Sequence, residues 1–429
     1  MLNIMNLNNG ITVITEKNLH LNSVNLAFYF NAGIIYESKK INGISHLVEH
    51  LFFRNLNGIS QKDLYFKMES IGTTLRAKTY VDFVCFDMTV APKYFDDAFE
   101  ILIQLLSKHH WSKEDIDLEK AVVKKQIDFK DLNNFSQFVD DNYFVGTNMK
   151  MPIMGSVQSV EQLTVSKINS WKETFFNSNN VCCVLTGNFS DDNFNNSVIN
   201  LEAVDNSYTL IPIKSNVFPR NFCDRTLKSD IVVETDWEIS DISLTFDIDT
   251  EKNKDVCVNL ISSMLGEGVG ARLPYILREK EPVTDEIYSK VDTFLNTKRI
   301  TIELSVQNID LEKSLILLFL EIVKFKSGIK QRDLDSSITF FTENQKFIYD
   351  SARDYNFFLG WNGFVNKKDT NIDSIIQNYK NTTIDELNTS INNIFSSANL
   401  IITVTNNNQI YKKTKLKKLL QSLRNKLNL

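Results

Sequence analysis

The sequence predicts an α+β protein built from two halves of similar fold. Its 429 residues exceed what one ordinary hydrophobic core organises, so the length favours two to three domains. Strand-like alternation and helix-like spacing of apolar residues follow one another along the chain. The order strand, helix, strands, helix, helix, strand then occurs a second time, which indicates a repeated structural unit.

The first half begins with a turn at Asn8-Asn9-Gly10, which precedes an alternating, strand-like run. Ser112 is a suitable cap for the last long helix predicted in this half, because Glu114 and Asp115 follow in the first turn. The predicted strands are Ile11 to Glu16, Ser23 to Phe30, residues 73–80, residues 82–90 and Val181 to Gly187; the predicted helices are the one around residues 43–53, Lys62 to Ile71, Tyr94 to Leu106 and Lys113 to Phe129.

A polar stretch around residues 202–222, with Pro212 and Pro219, lacks periodicity and is interpreted as a linker. The pattern then resumes with a strand at Ile242 to Asp249, a helix at Leu311 to Phe325, a long helix opening at Gln331 and a strand at Asn399 to Thr405. The predicted division is therefore a domain at 1–205, a linker at 206–222 and a second, similar domain at 223–429.

Composition excludes several classes of protein. A net charge of −6 and a pI near 5.6 argue against a nucleic-acid-binding protein, which needs a basic face. The N-terminal residues carry no signal peptide pattern, and no apolar run approaches the 18 or so residues of a transmembrane helix. Five irregularly spaced cysteines within apolar runs are typical of reduced core residues, which favours the cytoplasm.

The segment Gly43-Ile44-Ser45-His46-Leu47-Val48-Glu49-His50-Leu51-Phe52-Phe53 carries the chemistry. On a helix, His46 and His50 lie one turn apart on one face, where two imidazoles can bind one metal ion. Glu49 is then placed to act as a general base toward water at that metal. The order His-x-x-Glu-His is that of inverted zinc proteases. A chance surface cluster is the alternative.

With further segments, the chain resembles the pitrilysin/insulinase family of zinc peptidases, and in particular its short two-domain members. The resemblance implies two homologous α/β-sandwich halves, each a mixed, mostly antiparallel sheet with helices packed on it, that close like a clam around an extended peptide. The segments are Ile41 to Phe53, Ile71-Gly72, Ala77-Lys78-Thr79, Glu119 to Val123, Gly270 to Leu273 and Leu277 to Glu279.

In the family, one strand offers its edge to the substrate, so that backbone hydrogen bonds bind the peptide and pockets select its side chains. The resemblance places that strand at Arg76-Ala77-Lys78-Thr79 and makes Arg76, Ala77 and Thr79 substrate-binding residues. Arginine stands where asparagine is usual. With Lys78 it could favour acidic peptides, or both could be solvated strand residues.

The resemblance also implies a Zn²⁺ ion with a third ligand, normally a glutamate seven residues beyond another glutamate. Here the first of these positions is Glu119 and the ligand position is Gln126. Gln126 is a neutral, weaker donor than a carboxylate. Glu119 would instead contact a side chain that binds the metal and fix its orientation. The alternatives are that Glu119 itself moves in as a ligand, or that the site has decayed and is structural.

The second half of the family carries an arginine and, seven residues later, a tyrosine, which contact the substrate. Arg278 is present, but the tyrosine position is Asp285, and Tyr288 lies three residues beyond. Some members work as heterodimers in which one subunit keeps the zinc motif and the other the arginine and tyrosine. The chain is therefore predicted to need a homologous partner subunit, in a heterodimer or a homodimer.

The sequence thus predicts a zinc metalloendopeptidase subunit that cleaves extended peptides or leader segments. The alternative is a non-catalytic structural or partner-binding subunit of the same fold. The basic C-terminal tail from Lys412 to Leu427 could dock an acidic partner or lipid surface, or pack as a terminal helix on its own domain. His109-His110 is interpreted as a pair of helix-end residues rather than as metal ligands.

Overall fold

The computed structural model describes residues 2–130, 135–205, 230–268, 270–294 and 297–427. The predicted linker at 206–222 lies outside these residues, so the predicted domain boundaries stay a prediction. Among the described residues, the strands are β1 Asn3–Asn6, β2 Thr12–Lys17, β3 Val24–Phe30, β4 Asn55–Leu56, β5 Ile59–Ser60, β6 Arg76–Thr79, β7 Val84–Val90, β8 Val181–Gly187, β9 Ile231–Thr235, β10 Ile239–Ile248, β11 Ile287–Phe294, β12 Thr297–Gln307 and β13 Leu400–Asn407.

The helices alternate with these strands along the chain. They are α1 Ile44–Arg54, α2 Gln61–Ser70, α3 Phe95–Ile103, α4 Lys113–Lys130, α5 Phe135–Tyr143, α6 Val157–Glu161, α7 Val165–Phe175, α8 Asp191–Glu202, α9 Asp255–Gly266, α10 Arg272–Pro274, α11 Leu311–Lys326, α12 Gln331–Phe347, α13 Ala352–Leu359, α14 Ile372–Lys380, α15 Ile384–Ile394 and α16 Lys413–Lys426, with π-helical turns at Tyr275–Lys280 and Gly360–Val365.

Two mixed sheets form the framework, which confirms the predicted fold class. One sheet has the order β1-β2-β8-β3-β7-β6, with β2 and β8 parallel and the other pairs antiparallel. The other has the order β11-β12-β10-β13-β9, with only β13 and β9 parallel among these strands. Each sheet has its own buried apolar core against helices.

The chain forms two compact units that are discontinuous in sequence. Within the described residues, the first is drawn from Met1–Asn133, Met151–Phe218 and Gln345–Ile372, and the second from Asn134–Lys150, Pro219–Asn344 and Asp373–Leu429. Each unit is thus completed by a short segment from the other half of the sequence.

In the first unit, α13 covers the sheet face opposite the main core. Phe28 and Phe30 of β3 point into that core, while Tyr29 points to α13 and hydrogen-bonds Asn356 at 3.1 Å. The Asn356 amide donates to the backbone oxygens of Asn25 and Val184 at 3.2 and 2.8 Å. Because both faces are covered, every residue of β3 and β8 is buried.

In the second unit, α5 packs in the same manner on β10 and β13. The Tyr143 hydroxyl donates to Asp247 at 2.6 Å, and Asp140 pairs with the buried Arg299 at 2.8 Å. The Arg299 guanidinium also lies 4.9 Å from the Tyr143 ring centroid. Such a buried cation is tolerated because carboxylates and aromatic faces surround it.

The cysteines of the described residues are free thiols in the protein interior, as predicted. They are Cys85, Cys182, Cys183 and Cys257, while Cys223 lies outside those residues.

Candidate active site

Helix α1 carries His46, Glu49 and His50. The two imidazole rings lie with their centroids 4.7 Å apart and their planes at 56°, as expected for side chains one turn apart. Both histidines are half-buried, and Glu49 is buried with 9% of its surface exposed. The apolar residues of α1, including Leu47 and Leu51, are in the core and hold the helix rigidly.

The start of α1 is fixed by Glu37, a residue that the sequence analysis missed. Its buried carboxylate accepts hydrogen bonds from the backbone N–H groups of Gly43 at 2.8 Å and Ser45 at 3.0 Å, and from the Asn42 amide at 2.9 Å. Gly43 has φ +90°, and a Cβ there would lie 2.5 Å from the Met154 oxygen. A glutamate that caps a helix from seven residues upstream has no sequence signature of its own.

Glu49 is held by the neighbouring edge strand. The Thr79 hydroxyl of β6 donates to the Glu49 carboxylate at 2.5 Å. Burial raises the pKa of Glu49, while the Thr79 hydrogen bond and the electrostatic interaction with His50 counteract part of that rise. A carboxylate with a raised pKa is a better proton acceptor than an ordinary glutamate, as a general base requires.

Glu119 of α4 orients His50. Its carboxylate lies 3.1 Å from His50 Nδ1 and accepts from Arg54 Nε at 2.6 Å. Burial opposes ionisation of Glu119, but the hydrogen bonds from His50 and Arg54 outweigh it and lower its pKa. An ionised Glu119 favours the tautomer with a proton on His50 Nδ1, which leaves Nε2 as the donor atom for a metal.

The two imidazoles fit a divalent metal ion, because they share one helix face and one of them is oriented by a carboxylate. Within the described ranges, no group of three or more His, Cys, Asp and Glu side chains is arranged to hold a metal. Gln126 lies seven residues beyond Glu119 on α4, two turns along the same side, with an exposed side chain. A third protein ligand of the usual types is therefore not supplied, and the amide of Gln126 is the candidate.

Strand β6 ends its sheet next to α1. Ala77 and Thr79 face the side of α1 and the core, whereas Arg76 faces the opposite side. Arg76 forms a close pair with Asp87 on β7, at 2.6 Å. Among the described strands, β6 is thus the outermost of its sheet and lies against α1 through Thr79 and Glu49. Arg76, however, already has a carboxylate partner.

In the second unit, Arg278 lies in a π-helical turn with an exposed side chain, 3.7 Å from Glu279. Asp285 is exposed in the loop before β11. The Tyr288 hydroxyl donates to Glu303 on the adjacent strand β12, and burial together with this carboxylate raises the pKa of Tyr288. Tyr288 is therefore engaged within its own sheet.

The basic tail folds as α16, and its leucine stripe packs into the core of the second unit, as the terminal-helix interpretation expected. The buried leucines are Leu416, Leu420, Leu423 and Leu427. Across the described residues, no helix meets the length and apolarity needed to cross a bilayer.

The His109-His110 pair lies in the loop after α3 and takes part in loop contacts. His110 Nε2 lies 2.5 Å from Glu173, and the His109 backbone oxygen accepts from Lys172 at 2.8 Å.

Comparison with known proteins assigns the chain to a family. Residues 12–156 match the model for insulinase, peptidase family M16, and residues 162–340 match the model described as the peptidase M16 inactive domain. The chain belongs to the M16 peptidase family. Relatives named as zinc proteases are among the proteins similar to this chain.

Three relatives illustrate the range of M16 chains. This one is 23% identical over 405 residues to an uncharacterized zinc protease of Rickettsia felis, covering 92% of this chain and 95% of the relative. It is 23% identical over 188 residues to the beta subunit of the mitochondrial-processing peptidase of Caenorhabditis elegans, covering 43% and 41%. It is also 23% identical over 183 residues to core protein I of the ubiquinol-cytochrome-c reductase complex of Euglena gracilis, covering 42% and 37%.

The M16 fold is also evident in three dimensions. A protease from Helicobacter pylori superposes with a TM-score of 0.85 at 16% identity, covering 95% of this chain and 99% of that one. At this identity the likeness concerns the fold.

Arg54 is a second site residue that sequence reasoning missed in this M16 chain. It continues the face of His46 and His50 by another turn, so the spacing 46, 50, 54 was the available signal.

Proposed function

We propose that this protein is a zinc-dependent metalloendopeptidase subunit that cleaves extended peptides or leader segments. The observation that carries the proposal is the arrangement on α1, where two imidazoles share one face, a buried glutamate lies beside them, and a carboxylate from α4 orients one imidazole. A structural helix has no need for a buried glutamate with a raised pKa next to two histidines.

Zinc would be held by His46, His50 and Gln126, and its Lewis acidity would polarise the scissile carbonyl and acidify water in the site. Glu49 accepts the proton of the attacking water, because burial raises its proton affinity. Thr79 keeps the Glu49 carboxylate directed to the site through its hydroxyl. After attack, the protonated Glu49 can return the proton to the leaving amine.

Glu119 acts as a positioning residue. It is ionised, holds His50 Nδ1, and is itself held by Arg54. This arrangement fixes the ring orientation of His50 before any ligand binds.

The substrate is proposed to add as a strand to the free edge of β6, which places its backbone beside Glu49. Ala77 and Thr79 belong to that edge, and Arg76 lies on its other face. Arg278 is proposed as the substrate contact of the second unit, since its guanidinium is exposed. Extended peptides suit such an edge better than folded proteins do.

A homologous partner subunit is proposed to complete the enzyme. Asp285 stands at the position where the family has tyrosine, and Tyr288 is bound to Glu303. A similar protein is named as a subunit of the mitochondrial-processing peptidase, which fits a heterodimer; a homodimer is the other arrangement. The free cysteine thiols favour a reducing compartment, and we propose the cytoplasm.

The decisive experiment replaces Glu49 with Gln. Purified with zinc and a co-expressed homologous subunit, the wild-type chain should cleave unstructured peptides. The Glu49→Gln variant should cleave them about 10²- to 10⁴-fold more slowly. Metal content, measured by mass spectrometry, should be unchanged in the variant. Full cleavage by Glu49→Gln would overturn the assignment of the base.

The second candidate is a non-catalytic subunit of the same fold. Within the described part of the chain no carboxylate, thiolate or third imidazole joins the two histidines as a ligand, and one similar protein is named as a core protein of a respiratory complex. If the chain binds no zinc and cleaves nothing with or without the partner, this candidate replaces the peptidase.

A further inference from the structure

The free edge of β6 has two chemically different faces. Side chains alternate along a strand, so Ala77 and Thr79 lie on the side of α1, and Arg76 and Lys78 lie on the side of α13. The face of Ala77 and Thr79 belongs to the proposed catalytic site. The face of Arg76 and Lys78 is a separate surface on the same edge.

Arg76 is not a free cation on this face. Its Nη2 atom donates to Asp87 at 2.6 Å and to Thr89 at 2.8 Å. Arg353 of α13 reaches the same carboxylate from the other side, with Nε at 3.1 Å. Two guanidinium groups therefore share one buried carboxylate, and a neighbouring Asp354 adds a second negative charge beside Arg353.

Lys78 is the cation that remains available. Its side chain is exposed, and its ammonium lies 4.8 Å from the ring centroid of Tyr80. This surface carries three positive charges and two negative ones: Arg76, Lys78 and Arg353 against Asp87 and Asp354. In the described part of the chain, no carboxylate pairs with Lys78. The Tyr80 ring limits the motion of the ammonium and holds it at the surface.

The register tells which peptide positions meet Lys78. The Tyr80 N–H donates to the Phe83 oxygen at 2.8 Å, so the backbone groups of Tyr80 point toward β7. In an antiparallel pair every second residue points the same way, and the backbone groups of Lys78 and Arg76 therefore also point toward β7. Ala77 then directs its N–H and C=O to the open edge. A peptide residue opposite Ala77 forms backbone bonds there, and its immediate neighbours place their side chains beside Lys78 and Arg76.

We propose that Lys78 makes this edge selective for peptides with an acidic side chain next to the residue that pairs with Ala77. The proposal rests on the proposed function for the location of the substrate strand. An aspartate or glutamate beside Lys78 gains a cross-strand ion pair, whereas a lysine or arginine meets an uncompensated positive charge.

Binding rather than cleavage tests this selectivity. The full-length Glu49→Gln protein is titrated into fluorescein-labelled ten-residue peptides of alternating Thr and Val, each with one Glu, Gln or Lys at successive positions. Fluorescence anisotropy measures the affinity of each peptide. At one position, or at two positions separated by one residue, the peptide with Glu should bind about two- to fivefold more tightly than the peptide with Gln, and the peptide with Lys should bind more weakly than the peptide with Gln. The preference should fade between 50 and 500 mM salt.

Charge reversal supplies the matched controls. In Glu49→Gln protein, the further change Lys78→Glu should invert the preference to Lys, and Lys78→Met should abolish it. Lys93→Glu is the matched control, since Lys93 is also exposed, lies 4.6 Å from the ring centroid of Tyr94 and is outside β6. It should leave the preference unchanged.

Equal affinity for Glu, Gln and Lys peptides, absence of peptide binding, or an unchanged preference in Lys78→Glu would overturn the proposal. Cleavage by wild-type protein without any charge preference would leave the peptidase standing and remove the role of Lys78. A charge preference in a protein that cleaves no peptide would support the role of Lys78 and contradict the peptidase function.

Discussion

At the scale of residues, the proposed site depends on how two buried glutamates acquire different protonation properties. Glu49 is buried and meets one hydroxyl, so its pKa is raised; Glu119 is buried but receives Arg54 and His50, so its pKa is lowered. The first can therefore accept a proton and the second stays charged. Divergent environments of this kind support the proposed roles of Glu49 as base and of Glu119 as positioning residue.

If Glu49 is the base as proposed, its contact with the Thr79 hydroxyl should influence the pH dependence of the reaction. Thr79→Val removes a hydrogen bond that stabilises the Glu49 carboxylate, so the pKa of Glu49 should rise further. The acid limb of the kcat/KM profile, where Glu49 becomes protonated, should then move to higher pH. Thr79→Ser keeps the hydroxyl and should keep the wild-type limb; a profile that is the same for Val and wild type would contradict the role of this contact.

Metal affinity should respond in opposite directions to two changes on α4. Gln126→Glu introduces a carboxylate at the position of the missing ligand and should strengthen zinc binding. Glu119→Gln weakens the support of His50 Nδ1 and should reduce affinity by about 10- to 100-fold. Competition with a fluorescent chelator measures both. Weaker binding in Gln126→Glu would show that Gln126 does not face the metal.

At the scale of elements, helix α1 is positioned from both ends. Glu37 accepts hydrogen bonds from backbone N–H groups at the start of α1. The apolar residues in the middle of α1 pack in the core. At the other end, Arg54 binds Glu119 of α4. The histidines thus lie on a helix whose rotation and translation are both fixed.

Removal of the cap should loosen this helix. Glu37→Ala leaves the buried N–H groups of Gly43 and Ser45 without their acceptor and should lower the free energy of unfolding by about 2–4 kcal/mol. Glu37→Gln retains acceptor oxygen and should cost less, and Glu202→Ala, at an exposed glutamate, should change little. Urea unfolding followed by circular dichroism measures all three. Equal stability of Glu37→Ala and wild type would contradict the capping role.

At the scale of the whole molecule, each unit includes a helix from the other half of the sequence. In the described part of the chain, the face of the first sheet that carries Tyr29 and Thr186 packs against residues 345–372, which include Asn356. Thr186 donates to the Ala352 backbone oxygen at 2.6 Å. Without α13, these polar and apolar groups would lie against water on a sheet built to be covered on both faces.

Separate expression of the two halves tests this dependence. Residues 1–205 alone should be insoluble or molten, because the outer face of their sheet is uncovered, and co-expression with residues 206–429 should restore a folded complex. Near-UV circular dichroism and size-exclusion chromatography report the outcome. A stable, monomeric fragment of residues 1–205 would show that α13 is dispensable.

Much of this fold could be predicted from local patterns. Alternation, helix spacing and turn residues located β2, β3, β7, β8, α1, α4 and β13 to within a few residues, and the order His-x-x-Glu-His led to the prediction of His46, Glu49 and His50 as site residues. These signals are short-range consequences of period 2 and period 3.6. Repetition of the element order gave the two-sheet architecture.

The amino-acid sequence by itself therefore determined the fold class, the family and the three side chains on α1, because each depends on residues close together in the chain. Only the tertiary structure decided that Glu37 caps α1, that Arg54 holds Glu119, that Arg76 is neutralised by Asp87, and that α5 and α13 complete the opposite units. Those contacts join residues far apart in sequence or without local periodicity. Their partners are selected by burial and by the proximity of opposite charges, which arise only after the sheets have formed.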